Sequence, residues 1–551
     1  MDTKLLILWR YFSSGSIRTE EIAEALQISQ KQTTRYLKKW TDDGWLNFTP
    51  GRGRGNVSHL EWLKDVEEIF EEEVMKIIDT EPVERSSKYL MFDWSTDTKM
   101  RVMNKFQSLF GFVQQTQDKL IVPKRYPFQL IHPLEAADAH SAHMVANVFN
   151  RLVSITDTGK ILPELAHSWD VSPTKLRLYL RKDVSFHDGS VLTADDVVNC
   201  LEKLRIHKHN KELWAPVEEI VAKTPLVVDI LYSQGCSYSL HLLSTMTSSI
   251  YKENKGRLYG TGSFFIEENT DQKTTLTAFK EHFQERPLLD AVEFVHVPKD
   301  FPIVYQSTLE QEKQTTYKVE SDSGFGVVIM NAYRKNSQIQ RKEVRHYLHQ
   351  LIAKNRQKIQ GIDSRTIPNQ NSCIIGQKQN VHIPKVERPM FIKPLIVRAS
   401  DHTEKTTRWL IELLEQESIP VEVKWFPFEE IIKNRLHIQE VDLFIHGEIF
   451  ELNQDLSFYH FLTNGFAPLP YILQNDTKWK KRIDEYVHTP FEEWTRLNIS
   501  LEKELMEESI MIPLYYEKRF IPFSAELMNV NIKHFGYVDF SKLWVRPTLE
   551  D

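Results

Sequence analysis

Lys31, Thr34, Arg35 and Lys38 recur at i, i+3, i+4 and i+7, the spacing that puts side chains on one face of a helix. Three cations and a short hydroxyl on one stripe, with Thr33 beside them, are what a helix needs to enter a DNA major groove. The charges meet phosphates and the hydrogen-bonding groups meet base edges. Taken alone, the same stripe describes a solvated helix face. The next residues of the chain narrow the choice. PGRGRGN at 50–56 alternates glycine with arginine and cannot be a regular element. It sits between strand-like runs at Trp45–Thr49 and Val57–Trp62. Arg52, Arg54 and Asn56 at a hairpin tip can follow a phosphate backbone or reach into a minor groove. Helix, turn and basic hairpin together favour DNA over a bland charged surface.

The elements that must hold these residues are legible nearby. Ser29 and Gln32 form a capping box at the start of the reader helix, and Gly44 falls where a positive φ ends it. Leu37 and Trp40 mark its inner face. Leu5, Leu6, Leu8, Trp9 and Phe12 predict a first helix, and Thr19–Leu26, capped by Thr19, a second. Helix, helix, turn, helix and wing is a winged helix-turn-helix over residues 1–62. A helical connector is expected over 63–117. Its first helix is strongly acidic and carries Val66, Phe70, Val74 and Ile77 on one side; a second lies near Thr98–Phe110.

Composition sets bounds. At 551 residues, with 41% hydrophobic and 26% charged side chains, the chain is globular and multidomain. Its net charge of −7 excludes a general polyanion binder. Charge is uneven, however: residues 1–60 hold nine Lys or Arg against six Asp or Glu, whereas 61–85 hold three against ten. Nucleic-acid contact is therefore expected at the amino end alone. Three widely spaced cysteines, Cys200, Cys236 and Cys373, give neither a disulfide framework nor a metal knuckle. No signal-peptide pattern and no apolar run of membrane-spanning length is visible, so the expected location is cytoplasmic, with no membrane partner.

No phosphate-binding loop, nucleophile elbow or zinc-protease motif occurs. The pairs His140/His143 and His346/His349 lack a third ligand and read as ordinary histidines. Asp195 and Asp196 read as helix capping rather than as paired catalytic carboxylates. The expectation is thus no enzyme, no catalytic residue, no cofactor and no metal site.

Beyond about Asp118 strand-like and helical patterns alternate, which indicates a mixed α/β body. Residues 161–205 read ILPELAHSWDVSPTKLRLYLRKDVSFHDGSVLTADDVVNCLEKLR. Leu176–Leu180 and Val184–Phe186 predict strands, Asp188–Gly189 a turn, and Thr193 with Asp196 the start of a helix. This stretch resembles the diagnostic segment of the family 5 extracellular solute-binding proteins, in which P-x-LA-x-SW, LR-x-x-V-x-F-H-D-G and LTA-x-DV recur. Pro163, Leu165, Ala166, Ser168, Trp169, Leu180, Arg181, Val184, Phe186, His187, Asp188, Gly189, Leu192, Thr193, Ala194, Asp196 and Val197 match it. NVFNRLV at 147–153 and GTGSF at 260–264 are similar to further family segments. The amino-terminal GWLNFTPGRGRGNVSHLEWL is similar to the DNA-binding domain of SgrR-like bacterial transcriptional regulators, which place a winged helix ahead of such a body.

The resemblance implies a winged helix-turn-helix domain joined to an α/β, two-lobed, periplasmic-binding-protein-like domain of type II, family 5. The sensor would occupy 118–551, with lobe one at about 118–298 plus about 510–551 and lobe two at about 299–509. Its implied function is a ligand-responsive, DNA-binding transcriptional regulator that senses a peptide, sugar or sugar phosphate; the alternative is the solute-binding receptor of an ABC transporter. Implied partners are double-stranded DNA and a small-molecule or peptide effector, with a homodimer as one option. The strand VDLFIHGEIF would end beside the cleft, which nominates His446 and Glu448 as ligand-binding residues with Phe458 as an apolar wall; Tyr515 and Tyr516, in MIPLYYEKR near the expected return crossover, are nominated with them.

Overall fold

The computed structural model describes residues 1–51, 57–114, 117–128, 131–136, 139–156, 158–305, 316–369, 371–427, 430–431, 436–463, 467–533 and 537–546. Arg52, Arg54 and Asn56 at the wing tip lie outside the described residues.

The head begins with α1, Thr3–Tyr11, whose first turn is capped by Asp2 accepting from Lys4 N at 3.1 Å. Then come β1 (Gly15–Ile17), α2 (Thr19–Ala25), α3 (Gln30–Asp42), β2 (Leu46–Thr49) and β3 (Ser58–Trp62). The wing is three-stranded, in the order β1-β3-β2, because Gly15–Ile17 pairs with Ser58–Leu60. That short strand was not expected from the sequence: three residues show no periodicity. Thr19 is the first helical residue rather than the cap; Arg18 is the capping position, and its N–H donates to Glu21 at 3.5 Å. Gly44 takes φ +72°, as the end of α3 requires. Trp40 is fully buried, and its indole N–H donates to Asp2 Oδ2 at 3.0 Å, tying α3 to the start of the chain.

The connector packs tightly. Helix α4, Val66–Thr80, is capped by Asp65 and buries Val66, Phe70, Val74 and Ile78. The buried residue of the last turn is therefore Ile78, and the expected Ile77 is half-exposed beside it. A helix at Thr96–Gln107 buries Val102 and Phe106 against it, and the Arg101 guanidinium grips Glu71 through two 2.6 Å contacts. One hydrophobic core runs from Leu5 through Leu37, Trp40, Phe70 and Phe106 to Phe110, Val295, Val297 and Phe301. Val295 ends a strand of the lobe-one sheet, and Val297 and Phe301 follow it directly, so lobe one runs a little past the expected limit at 298. Phe110 and Phe301 stack obliquely at 5.3 Å, and Lys99 meets Asp300 at 2.5 Å.

Lobe one holds a five-stranded sheet in the order Phe264–Asn269, Lys273–Ala278, Ala291–His296, Asp118–Lys124, Gly111–Gln114. The expected boundary at 117/118 thus falls inside a hairpin, since Gly111–Gln114 pairs with Asp118–Ile121. A four-stranded sheet, which includes Ala166–Ser172 and Lys175–Leu180, carries the family 5-like segment. Thr193 and Asp196 cap the helix Ala194–Ile206 reciprocally, as their spacing predicts. Val184–Phe186 forms only an isolated bridge, Ser185 to Val191, instead of a strand. Gly260 and Gly262 press on the backbone at Val148: a Cβ at either would come within 2.5 Å of Val148 O.

Lobe two is built on a six-stranded sheet in the order Thr366–Pro368, Met511–Ser524, Thr316–Met330, Leu443–Glu448, Leu395–Ala399, Val421–Trp425. One face packs on the helices Lys342–Asn355 and Glu404–Gln416; the other packs on helices between Gln454 and Glu507. The strands Thr316–Met330 and Met511–Ser524 pair from Thr316–Ser524 to Ile329–Met511. The return to lobe one therefore comes after Ser524, later than the expected position near 510, where Phe540 N donates to Asn147 and Val538 O contacts His143. The three cysteines are free; burial pushes the Cys200 thiol up to about 11 and the half-buried Cys236 thiol up to about 12. No helix among the described residues is long and apolar enough to cross a membrane.

The shared core makes a direct prediction. Phe301→Ala removes a fully buried ring and is expected to cost about 3–5 kcal/mol. Urea denaturation read at head and body tryptophans should show residues 1–110 losing stability together with lobe one.

Candidate functional site

Two places gather the groups singled out by sequence. The first is the outer face of α3. The Ser29 hydroxyl accepts from Gln32 N at 3.3 Å while the Gln32 side chain accepts from Ser29 N at 3.1 Å, which fixes where the helix starts. Leu37 and Trp40 then point inward, and Lys31, Thr34, Arg35 and Lys38 are all exposed on the opposite side. Thr33 does not join them. It is 0% exposed, and its hydroxyl donates to Ser29 O at 3.1 Å. Thr33, Leu37 and Trp40 stand at i, i+4 and i+7, so all three share the inner stripe. A hydroxyl spent on the preceding turn is not offered to a base edge, and the exposed Thr34 hydroxyl is spent in the same way, on Gln30 O at 3.0 Å, so the stripe presents chiefly the cations Lys31, Arg35 and Lys38.

The second place is the end of the strand Leu443–Glu448. On lobe two, His446 and Glu448 share the strand Leu443–Glu448 and a 3.1 Å contact between His446 Nε2 and a Glu448 carboxylate oxygen. Both are half-buried. His446 stacks on Phe461 at 6.2 Å. Phe458 is not an accessible wall: it is 0% exposed and locked among Phe450 and Phe461. Tyr515 faces away. It pairs with Gly326, where a Cβ would lie 2.2 Å from its ring, and packs on the far core of lobe two. Side chains alternate faces along a strand. Tyr516, paired through Phe325 with Glu448, is therefore the tyrosine on the His446 face, and its hydroxyl donates to Ser372 O at 2.6 Å.

The groups that join the lobes were not singled out by sequence. Glu451 of lobe two accepts from Met246 N of lobe one, with both carboxylate oxygens at 3.3 Å. Burial raises its pKa above the ordinary carboxylate value, against the opposing pull of Arg151 on lobe one. Arg151 donates to Ser244 O at 2.7 Å and lies 3.7 Å from Glu164, whose other oxygen accepts from Asn150 at 2.7 Å. Close by, Asn453 bonds His241 at 2.8 Å, and His241 stacks on Phe491 at 4.0 Å. None of these positions shows a periodic signal; Glu451 and Asn453 act across contacts between segments some 200 residues apart. A separate concavity of about 480 Å³ on lobe one, lined by His132, Lys203, His207, Tyr251 and Glu253 among others, shares no residue with this site.

Among the described residues no group of histidine, cysteine and carboxylate side chains is arranged to hold a metal. His143 contacts Val538 O, His346 contacts Glu507 O and His349 contacts the Ser509 hydroxyl, so these three are occupied by the fold. The side chain of His140 lies outside the described residues.

Comparison with known proteins shows what each part of the chain is similar to. Residues 4–111 match the model of the sugar transport-related sRNA regulator N-terminal domain, and residues 160–345 match that of the bacterial extracellular solute-binding proteins, family 5, middle domain. The HTH-type transcriptional regulator SgrR of Photorhabdus laumondii is 24% identical over 570 residues, covering 99% of both chains. The protein of the same name from Yersinia enterocolitica is 24% identical over 365 residues, 64% of each chain. Among solved structures, the periplasmic binding protein DppA of Helicobacter pylori, in complex with peptide STSA, superposes with a TM-score of 0.65 at 16% identity, covering 80% of this chain and 99% of that one. NikA of Brucella suis, in complex with Fe(III)-EDTA, gives 0.62 at 14% identity, covering 78% and 100%. The chain thus carries, in order, a segment matching the SgrR-type amino-terminal domain and a segment matching the family 5 solute-binding middle domain, and it is similar over 99% of its length to an HTH-type transcriptional regulator SgrR.

Proposed function

We propose that the protein is a cytoplasmic transcriptional regulator that binds double-stranded DNA through α3 and the wing and takes a small solute or peptide between its lobes. The observation that carries this reading is the exposed cationic face of α3 on a head whose core is continuous with lobe one. A reader helix rigidly joined to one half of a hinged receptor is what a ligand-controlled DNA-binding protein needs. A transport receptor has no use for such a head. Relatives named as HTH-type transcriptional regulators support the reading.

In this scheme lobe two moves and the head travels with lobe one. The effector acts only through its different affinity for the open and closed arrangements. His446, Glu448 and Tyr516 are the proposed ligand-facing groups on lobe two, with Arg151 opposite them on lobe one. Native mass spectrometry of the purified protein tests the effector class directly: a retained small solute or peptide, displaced by dialysis, is the expected result.

DNA binding is tested by salt dependence. Lys31→Ala, Arg35→Ala and Lys38→Ala should each lower the slope of log affinity against log salt by about one. Arg52→Ala with Arg54→Ala tests the wing in the same way. Thr33→Val should leave DNA affinity unchanged, since its hydroxyl serves the helix, and should cost about 1 kcal/mol of stability.

Glu451 gives a pH signature. Its carboxyl titrates above the ordinary value while the lobes are in contact, so forming the contact takes up a proton. Lobe contact should therefore be firmest at acid pH and weaken as pH rises from the ordinary carboxylate value through the raised one. Glu451→Gln should abolish that dependence and hold the lobes together at neutral pH, as read by hydrogen exchange at Met246.

A further inference from the structure

We propose that the edge strand Val421–Trp425 is a dimerisation surface on which a second copy of this chain pairs antiparallel about a two-fold axis through Val423. The strand ends the six-stranded sheet of lobe two and, among the described residues, is paired on one side only, to Leu395–Ala399. That pairing is parallel, with Leu395 N donating to Pro420 O and Phe426 N donating to Ala399 O. Even-numbered residues therefore direct their backbone groups inward, and the N–H and C=O of Val421, Val423 and Trp425 point to the open edge. Two apolar side chains on this edge are unusually exposed: Val423 at 45% and Trp425 at 54%.

The sequence of the strand, Val-Glu-Val-Lys-Trp, is complementary to itself. With Val423 opposite Val423 of the second copy, Val421 faces Trp425 and Glu422 faces Lys424, each twice by symmetry. The three outward-facing residues then supply six hydrogen bonds across the axis, in the register where an antiparallel pair exchanges both bonds. The charged pairs fall on one face of the sheet and the apolar pairs on the other. A shift by two residues breaks the match: in one direction it sets Glu422 against Glu422, in the other Lys424 against Lys424. Lys424 now lies 2.8 Å from Glu440 in an exposed contact, which is worth little and is readily exchanged for the second copy's Glu422. Exposed edges are normally blunted with lone like charges. Here the two charges alternate in sign, which selects a second copy over a neutral or singly charged strand. A two-fold through lobe two also brings two heads into one assembly, as two half-sites on DNA require.

Sedimentation velocity of the full-length protein tests the proposal. The wild-type chain should show a concentration-dependent dimer in the micromolar range. Glu422→Lys and Lys424→Glu each place two like-charge pairs across the axis and should each weaken dimerisation by about tenfold or more. The double variant Glu422→Lys/Lys424→Glu restores opposite charges and should recover the wild-type equilibrium, and the circular dichroism of each single variant should match that of the wild type. Val423→Pro removes the central outward donor, leaves the pairing with Leu395–Ala399 intact, and should yield a monomer. A wild-type chain that stays monomeric, single reversals that leave the equilibrium unmoved, or a double variant that stays monomeric would each overturn the proposal. The first is also the outcome expected if the edge takes a strand from a different protein.

Discussion

The contact between Phe110 and Phe301 is the constraint on which the rest of the molecule depends. It is the point where a core that starts at Leu5 crosses into the solute-binding body. Burial of apolar surface is non-directional, but packing at interior density is not forgiving, and a side chain added or removed there is felt on both sides. The Lys99–Asp300 and Lys273–Glu84 pairs flank the same junction. Partly exposed pairs of this kind contribute modestly to stability; their effect is to fix orientation. Head, connector and lobe one consequently behave as one body.

That coupling changes how a signal could travel. With the head fixed to lobe one, the proposed hinge motion would displace lobe two against everything else. The long strands Thr316–Met330 and Met511–Ser524 carry the connection, while Glu451, Asn453 and His241 meet across the seam. The raised pKa of Glu451 is the cost of putting a carboxylate where water is scarce. It persists because Met246 N and Arg151 oppose it only in part.

Much of this architecture could be read from the chain. The capping boxes at Ser29/Gln32 and Thr193/Asp196 are local pairings, three residues apart, and they stand where the spacing put them. The fold of the body followed from a long motif. Facing was harder to read. Thr33 and Ile77 each sit one position from a stripe, and a 100° step per residue turns a small error into the wrong face. Tyr515 and Tyr516 are separated by a parity that only the register decides. That register is shifted between Asp322 and Gly324 and again between Gly326 and Val327, and such bulges leave no mark in the sequence. The seam between the lobes was illegible for a simpler reason: its partners are far apart along the chain.

The cysteines lead somewhere different. With thiols held near 11 and 12, Cys200 and Cys236 present the reactive anion in only about one molecule in ten thousand or fewer at neutral pH. Burial, with Glu502 beside it, pushes the Cys373 thiol up as well. Thiolate-specific reagents therefore find little to attack at these three cysteines, and a single introduced surface cysteine stands out against them for selective labelling.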